Sequence, residues 1–378
     1  MSYIEKLLEG VEVEWKILGE VCKVLRGKRL TKKELSENEK FPVFHGGLEP
    51  LGFYSESNRP ANTVMIINVG ASAGTVGFSS IDFWSSDGCF CLEHSEIMNN
   101  KFLYYFLIGE EHFLKSRVRV AGIPTLDNFV VEKLQIPIPP LSVQKEIVRI
   151  LDTFTELTTE LTTELTARKQ QYSFYREELL SFEMENEKLK IENENNSQLS
   201  TFNSQLNKVE WKALGEIANI GTGNSNRQDE SENGIYPFYV RSKNILKSDT
   251  FQFDETAIIV PGEGGIGDIF HYVEGKYALH QRAYRINVCS NDLIDKYLFY
   301  IMHNSFKHYI LTKSVGATSI SIRKPMLEKF LIPIPPLSVQ KEIVRILDTF
   351  TELTTELTAE IELRQKQYEY YRDRLLTF

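Results

Sequence analysis

The sequence predicts an α+β protein in which a mixed helix and strand domain and the long helix after it occur twice. Three observations lead to this fold class. The segment 136–162 recurs letter for letter at 332–358. Each copy opens a stretch with apolar residues at spacings of three and four, as in a helix. Each is preceded by about a hundred residues of short apolar runs and glycine-rich turns, as in domains that mix strands and helices.

The repeat extends over nearly the whole chain at a constant offset of 196 residues. The offset relates Val13-Glu14-Trp15-Lys16 to Val209-Glu210-Trp211-Lys212, and it still holds between Phe182 and Phe378. The two repeats therefore span roughly 13–182 and 209–378. Between the shared segments, the inserts at about 22–130 and 218–326 have diverged almost completely. A shared frame with two unlike inserts indicates a scaffold that makes two different sets of contacts.

The last third of each repeat predicts a long helix. No Gly or Pro interrupts residues 141–182, and Ser142 is the expected cap after Pro139-Pro140. Each helix would be about 60 Å long, and an apolar stripe of that length requires a partner. We therefore predict an intramolecular coiled coil of the two helices. Its predicted interface positions are Ile147, Ile150, Phe154, Leu157, Leu161, Tyr172 and Tyr175, and Ile343, Ile346, Phe350, Leu353, Leu357, Tyr368 and Tyr371.

A tetrapeptide, TELT, occurs three times in a row over residues 155–166 and twice over 351–358. It is either a replication-slippage tract on a tolerant helix or an adjustable spacer, since each added copy lengthens a helix by about 6 Å. Residues 183–208, between the repeats, are rich in Glu, Asn and Ser. This composition predicts a polar linker or a frayed extension of the helix.

Each insert contains a predicted buried strand that runs into a glycine loop. The strands are Thr63–Asn68 and Thr256–Val260, and the loops are Gly70–Gly77 and Gly262–Gly267. The second loop matches G-x-G-x-x-G, but a strand rather than a helix is expected after it, so we interpret it as a strand-to-strand turn and not as a dinucleotide site. The runs 101–108 and 295–302 predict short helices with aromatic core residues.

Catalytic signatures are missing from the sequence. It contains no GxxxxGK[ST], HExxH or GxSxG motif, and its seven histidines are scattered. Cys89 and Cys91 indicate one face of a buried strand rather than a metal site, and no CxxC pair occurs. The chain alone is therefore predicted not to be an enzyme. With no apolar run long enough for a membrane span and no signal-like N-terminus, a cytoplasmic protein is expected.

The net charge of −9 lies almost entirely in the long helices and the linker. The inserts are close to neutral, with −1 over residues 14–135 and 0 over 210–331. They can still present basic faces to DNA, although ordinary solvated surface charge is the alternative for any single residue. The candidate DNA-binding residues are Lys28, Arg29, His45, Arg59, Asn68, Ser72, Gly74, Arg117, Arg119, Arg227, Arg241, Lys243, Gly262, Gly264, Gly267, His280, Arg282, Lys313, Arg323 and Lys324.

A motif at the start of each long helix resembles that of a known family. The motif I-P-x-P-P-L-x-x-Q-x-x-I-V-x-x-L-D occurs at Ile136–Asp152 and Ile332–Asp348, each time after a divergent insert. It resembles the specificity subunit of type I restriction-modification systems. The V-E-W-K-x-L-G-E starts at 13–20 and 209–216 are similar to the domain entries of that family, and the TELT tract is similar to the spacer repeats of one branch.

The resemblance implies two pseudo-symmetric target-recognition domains, separated by the two long helices as an antiparallel spacer. It implies recognition domains at 1–135 and 209–331, spacer helices at 136–182 and 332–378, and a linker at 183–208. Each domain would read one half of a split, asymmetric sequence in double-stranded DNA.

The resemblance also implies partner subunits. Two methyltransferase subunits would bind S-adenosylmethionine, and a restriction subunit would bring ATP, Mg²⁺ and translocation. No cofactor, metal or membrane contact is expected for this chain. Two alternatives remain open: a coiled-coil adaptor that binds only proteins, and a nucleotide-dependent oxidoreductase built around Gly262–Gly267.

Overall fold

The computed structural model describes residues 3–182, 209–265, 267–313 and 321–378. The predicted linker at 183–208 lies outside the described residues. The chain divides into two compact units. The first unit comprises Met1–Thr163 and Thr358–Phe378, and the second comprises Glu164–Leu357. Each unit thus contains one insert, the beginning of one long helix and the end of the other.

The first unit contains three sheets with helices packed against them. Its elements are α1 Tyr3–Leu8, β1 Glu14–Ile17, α2 Leu18–Val21, β2 Val24–Arg26, a 3-10 turn at Lys32–Glu34, β3 Phe41–Phe44, β4 Gly52–Tyr54, β5 Thr63–Ile67, β6 Val76–Ser79, β7 Trp84–Ser85, β8 Cys89–Leu92, α3 Asn100–Gly109, α4 Glu111–Ser116, α5 Asn128–Glu132, β9 Gln135–Ile138 and the first part of α6 Leu141–Leu180. Strands β2, β8, β5 and β6 form one sheet in that order, β4, β3 and β7 form a second, and β1 pairs with β9.

Strand β5 separates two apolar clusters in the first unit. Successive side chains of a strand point to opposite faces, so Val64 and Ile66 join the main core while Met65 and Ile67 face a smaller cluster. That smaller cluster also holds Cys89 and Cys91, both fully buried. The predicted buried strand and the interpretation of these cysteines as one strand face are therefore confirmed.

The second unit contains one large mixed sheet and a separate pair of strands. Its elements are β10 Glu210–Ala213, α7 Leu214–Ile217, β11 Ala218–Thr222, a 3-10 turn at Arg227–Asp229, β12 Tyr236–Tyr239, β13 Leu246–Ser248, β14 Phe253–Pro261, β15 His271–Leu279, β16 Ala283–Val288, α8 Asp295–Lys313, α9 Lys324–Glu328, β17 Leu331–Ile334 and the first part of α10 Leu337–Leu376. The strand order of the large sheet is β11-β16-β14-β15-β12-β13, and the pair is β10 with β17.

Two sequence predictions about helices were wrong. Ser142 does not cap α6, because the helix begins at Leu141 and the Pro140 carbonyl accepts the amides of Val143 and Gln144. The helix predicted to be short in the second insert is α8, with 19 residues. Its counterpart α3 ends at Gly109, and no glycine occurs within α8. Glycine is a poor helix former, which explains the break in the first unit.

The two long helices pair antiparallel, and each unit contains one end of the pair. In the first unit, the Phe154 ring near the start of α6 stacks on the Tyr371 ring near the end of α10, with centroids 5.2 Å apart. In the second unit, the equivalent pair Tyr175 and Phe350 stacks at 5.4 Å. The same contact thus occurs twice with the roles of the helices exchanged. The coiled coil predicted from the apolar stripes is confirmed.

A buried glutamine near the start of each long helix forms hydrogen bonds that connect the helix to the preceding insert. In the first unit, Gln144 is fully buried, and its Oε1 accepts the Asn99 amide at 2.7 Å. Its Nε2 donates to the carbonyls of Ile97 at 3.0 Å and Pro139 at 2.7 Å. In the second unit, Gln340 makes the same three kinds of backbone contact. Because its partners are backbone groups, this anchor does not depend on the side chains of the insert.

We expect Gln144→Leu to lower the free energy of unfolding by about 2–4 kcal/mol, because it leaves one buried amide and two carbonyls without a partner. The size of the leucine side chain preserves packing, so the loss reports on the hydrogen bonds. Urea unfolding followed by circular dichroism measures it. Gln171→Leu, at an exposed position on the same helix, is the control and should stay within about 0.5 kcal/mol of wild type. An equally small effect of Gln144→Leu would contradict this role.

Candidate nucleic-acid interface

In the first unit, a glycine loop joins β5 to β6 at the edge of the main sheet. Gly70 and Gly74 have φ angles of +86° and +88°, which glycine adopts without strain. A Cβ on Gly74 would lie 2.9 Å from the Lys115 amide nitrogen, so this position also requires close approach. Asn68, which begins the loop, is buried and donates its amide to the Gly88 carbonyl at 3.1 Å. The predicted buried strand that runs into a glycine loop is confirmed here, and the loop leads into strand β6.

A second loop, residues 117–126, lies on the glycine loop. The Leu126 amide donates to the Asn68 carbonyl at 2.9 Å, and the Gly70 amide donates to the Pro124 carbonyl at 2.9 Å. Arg119 and Thr125 exchange backbone hydrogen bonds of 2.9 and 3.0 Å across this loop. The candidates Ser72 and Arg119 are thus brought to one surface, which we call the first loop surface. Asn68 and Gly74 belong to the same loops, but both are buried, so the prediction that they contact DNA directly is wrong.

His45 adjoins the first loop surface through Gly88, whose carbonyl accepts the Asn68 amide, whereas Arg59 contacts the end of β2. The Gly88 amide donates to His45 Nδ1 at 3.2 Å, and Asp87 Oδ1 lies 3.3 Å from the same nitrogen. Arg26 Nε donates to the Asp87 carbonyl at 3.3 Å, and Arg59 Nη2 donates to the Arg26 carbonyl at 3.0 Å. Arg59 therefore uses its guanidinium to hold backbone in place. His45 lies beside the glycine loop.

The remaining candidates of the first unit are exposed cations. The side chains of Lys28 and Arg29 are exposed after β2, and the Lys28 carbonyl accepts the Trp84 indole N–H at 2.7 Å. The Arg117 guanidinium lies over the Phe113 ring, 5.0 Å from its centroid.

In the second unit, a polar cavity of about 370 Å³ collects several of the predicted residues. Glu263 receives hydrogen bonds from Arg241 Nη1 at 2.9 Å and from Arg282 Nη1 at 3.1 Å. His280, 6% exposed, accepts the Arg282 amide at Nδ1 over 3.0 Å. The cavity is lined by Arg227, Val240, Arg241, Ser242, Asn244, Leu246, Glu263, Gly264 and His280. We call this the second loop surface.

The charges on this surface are set by their neighbours. Hydrogen bonds from Arg282 and Arg241 lower the pKa of the Glu263 carboxyl, so this group is ionised at neutral pH. Burial, followed by the positive charges of Arg241 and Arg282, lowers the pKa of His280. His280 is therefore neutral at neutral pH, and the two arginines supply the positive charge.

The loop after β14 corresponds to the glycine loop of the first unit. The Ile322 amide donates to the Gly262 carbonyl at 2.8 Å, as the Leu126 amide does to Asn68 in the first unit. Gly264 and Gly267 both have a φ of +72°. The chain continues into strand β15 and not into a helix, which confirms the predicted strand-to-strand turn.

Not every predicted cation lies at this cavity. Lys313 lines a different, more apolar cavity of about 640 Å³ with Trp211 and Phe330. Lys324 forms an ion pair of 3.6 Å with Glu328 on α9, and Arg323 precedes that helix. The Lys243 side chain is exposed two residues after Arg241.

Glu263 was not among the residues predicted to contact DNA, because a phosphate repels an acidic side chain. Its position between Gly262 and Gly264, in a loop predicted to approach DNA, could have marked it as a candidate. Among the described residues, no group of three or more His, Cys, Asp and Glu side chains is placed to hold a metal ion. In the same part of the chain, none of the helices is apolar over a stretch long enough to cross a membrane.

Comparison with known proteins gives a consistent result. The family described as type I restriction modification DNA specificity domain matches residues 10–168 and 207–364. The chain is 33% identical to the type I restriction enzyme EcoR124I/EcoR124II specificity subunit of Escherichia coli, over 100% of this chain and 97% of that protein. It is 31% identical to a putative type I restriction enzyme specificity subunit of Haemophilus influenzae, over 100% and 98%.

The fold has also been observed in a solved structure. The S subunit of a type I restriction-modification system from M. genitalium superposes with a TM-score of 0.76 at 17% identity, over 100% of both chains. The two family matches each cover one insert and most of the long helix that follows it.

Proposed function

Because the chain belongs to the type I restriction-modification DNA specificity family, we propose that its two loop surfaces read the two halves of a split, asymmetric DNA sequence. As a member of this family the chain is a DNA target-recognition subunit of a multisubunit complex and is not itself an enzyme. The observation that supports two different half-sites is that one repeated frame presents two chemically unlike surfaces. The first contains Ser72, His45 and Arg119, and the second contains Arg241, Glu263 and Arg282.

In this proposal the inserts recognise DNA and the long helices set the distance between the half-sites. We assign target recognition to residues 1–135 and 209–331, and spacing of the half-sites to the helices within 136–182 and 332–378. Residues 183–208 connect the two repeats. The candidate DNA contacts are the residues of the two loop surfaces, with Lys28, Arg29, Arg117, Arg227, Lys243 and Arg323 as flanking phosphate contacts. Lys313 and Lys324 lie away from the second cavity and are the weakest candidates.

In this proposal, partner subunits catalyse the methylation and restriction reactions. The segments around the fully buried Gln144 and Gln340 are the same in both repeats, which offers two equivalent docking surfaces. We assign them to two methyltransferase subunits that bind S-adenosylmethionine. A restriction subunit would add ATP-driven translocation with Mg²⁺. Because the inserts are near neutral and the helices are acidic, we assign much of the phosphate contact to these partners, and the complex would act on double-stranded DNA in the cytoplasm.

Methylome sequencing tests this function. The chain and its methyltransferase subunit are expressed in a host that lacks DNA methylation, and methylated adenines are mapped by single-molecule sequencing. We expect one split motif with two different half-sites and an unspecified centre. If both proteins are soluble and associated but no motif appears, the chain is a protein adaptor and the assignment fails.

A further inference from the structure

A carboxylate stands at the centre of the second loop surface, where a DNA-binding protein would be expected to show positive charge. Glu263 lies between Arg241 and Arg282, and its side chain is 42% exposed. The side chains of the two arginines are 44% and 55% exposed. All three groups can therefore be reached from solvent by a large ligand, and the site carries both signs of charge.

The hydrogen bonds leave one oxygen of this carboxylate available. Both arginines donate to the same atom, Glu263 Oε2. Within the part of the chain that the structure describes, Oε1 accepts no hydrogen bond. The position of Glu263 is fixed by the loop, since the Gly262 amide donates to the Arg282 carbonyl at 2.9 Å and Gly264 has a left-handed φ. The site thus offers one acceptor oxygen beside two guanidinium groups.

This donor and acceptor set matches one base pair in the major groove of DNA. Guanine presents two acceptors, O6 and N7, which arginine contacts as a fork, and cytosine presents the N4 amino donor, which a carboxylate accepts. The two edges are neighbours within one G·C pair. For a phosphate, the carboxylate offers no hydrogen bond and cancels one of the two positive charges, which weakens the attraction. Among DNA groups, a carboxylate between two arginines therefore favours a G·C edge over the backbone.

We propose that Glu263 is a specificity-determining residue of the second loop surface, which accepts the N4 amino group of a cytosine while Arg241 or Arg282 contacts the paired guanine. The proposal rests on the function proposed above and adds to it one base pair of the second half-site. It also explains why an acidic residue is present, because a carboxylate excludes base edges that cannot donate a hydrogen bond to it.

The first unit offers a contrast at the same place in the fold. The carbonyls of Asn68 and Gly262 accept equivalent amides, which places Val69 of the first loop where Glu263 stands in the second. Valine has no polar group for a cytosine amine. The residue after this shared carbonyl therefore differs in chemistry between the two surfaces, as expected for a position that sets the target.

The test compares Glu263→Ala with Asp268→Ala. Asp268 follows the same glycine loop, is 52% exposed and pairs with Lys307 Nζ at 2.7 Å. Both variants remove one negative charge; Glu263→Ala frees two arginines and Asp268→Ala frees one lysine, so both should bind non-specific DNA more tightly. Only Glu263→Ala should lose discrimination at a base pair. Glu263→Gln, which keeps the size of the side chain, serves as a second variant, and thermal unfolding checks that each variant is folded.

Two measurements are made on the complex with its methyltransferase subunit: the methylated motif, and binding to duplexes in which each base pair of both half-sites is replaced in turn. For Glu263→Ala we expect one G·C position, in one half-site only, to become degenerate. Discrimination there should fall by about tenfold to a hundredfold. Asp268→Ala should leave the motif unchanged.

The proposal is overturned if Glu263→Ala retains the wild-type motif, if it weakens all positions equally, or if the position that changes is an A·T pair. A degenerate position in Asp268→Ala as well would show that charge alone is responsible, and would also overturn it. Failure of the proposed function is a separate result, since the wild-type complex would then show no split motif.

Discussion

A chain that ends at Phe182 is expected to form a homodimer that recognises a symmetric split target, with the half-site of the first unit present twice. In the intact protein, the first unit is completed by residues 358–378 of the second repeat. Leu375 and Leu376 lie in its core, and the Phe378 ring lies 6.4 Å from that of Phe102. A shortened chain lacks these residues.

The shortened chain nevertheless carries an equivalent segment of its own. Residues 162–182 carry two tyrosines, two leucines and a final phenylalanine that match those of 358–378 at the repeat offset, with Tyr175 in place of Tyr371 and Phe182 in place of Phe378. In the dimer, each chain would supply this segment to the other, and the Phe154 ring of one would stack on Tyr175 of its partner. Light scattering should give twice the mass of the chain, and methylome sequencing should give a palindromic split motif.

The matched control is a chain that ends at Thr163 and lacks the exchanged segment. It has no residues to complete the core around Ile147 and Leu151, so we expect a monomer that unfolds at lower denaturant concentration. A monomeric chain of residues 1–182, or one that methylates an asymmetric motif, would refute the idea that the repeat ends are interchangeable.

Deletion of Thr159–Thr162 is expected to change the number of unspecified bases between the half-sites while leaving both half-site sequences unchanged. The deleted residues lie within α6, just before Glu164, where the part of the helix that belongs to the second unit begins. The hydroxyl of Thr159 donates to the carbonyl four residues earlier, at 2.8 Å, so the tract satisfies its own polar groups. Four helical residues correspond to about 6 Å, or one to two base pairs of B-DNA.

A matched double deletion gives the sharper result. Residues Thr355–Thr358 of α10 have the same four letters, so removing them together with Thr159–Thr162 shortens both helices equally. We expect the double deletion to methylate a motif with a shorter centre. Methylome sequencing of both variants measures the number of unspecified bases and the sequence of each half-site. Altered bases in either half-site would show that the tract contributes to recognition, and an unchanged centre would favour the slippage interpretation.

The long helices and their pairing could be predicted from the sequence because two physical requirements agree. The apolar positions repeat with the helical period, and a stripe of that length must be covered. The internal repeat provides a second helix with the same apolar stripe, and the two helices pack against each other. The buried strand β5 could be predicted for a similar reason, since five consecutive apolar or β-branched residues stand before a glycine loop.

The recognition surfaces were less predictable because they depend on which loops meet. Arg59 was a reasonable DNA candidate by residue type, but its guanidinium holds the carbonyls of Asn58 and Arg26. Lys313 falls in another cavity because α8 continues to that residue instead of breaking as α3 does. Glu263 was missed because its role depends on two arginines that are distant in sequence and are joined only by the sheet.

The completion of the first unit by the last residues of the chain has a consequence for the order of folding during synthesis. Residues 1–163 are synthesised first, yet their core gains Leu375 and Leu376 only after residues 164–357 have been made. The second unit, within 164–357, has all its residues before that point. The unit whose synthesis begins first is thus completed after the other. A chain that stops between the two units' shared segments, with neither residues 358–378 nor a partner chain to supply their equivalent, would expose the apolar groups around Phe102 to proteases.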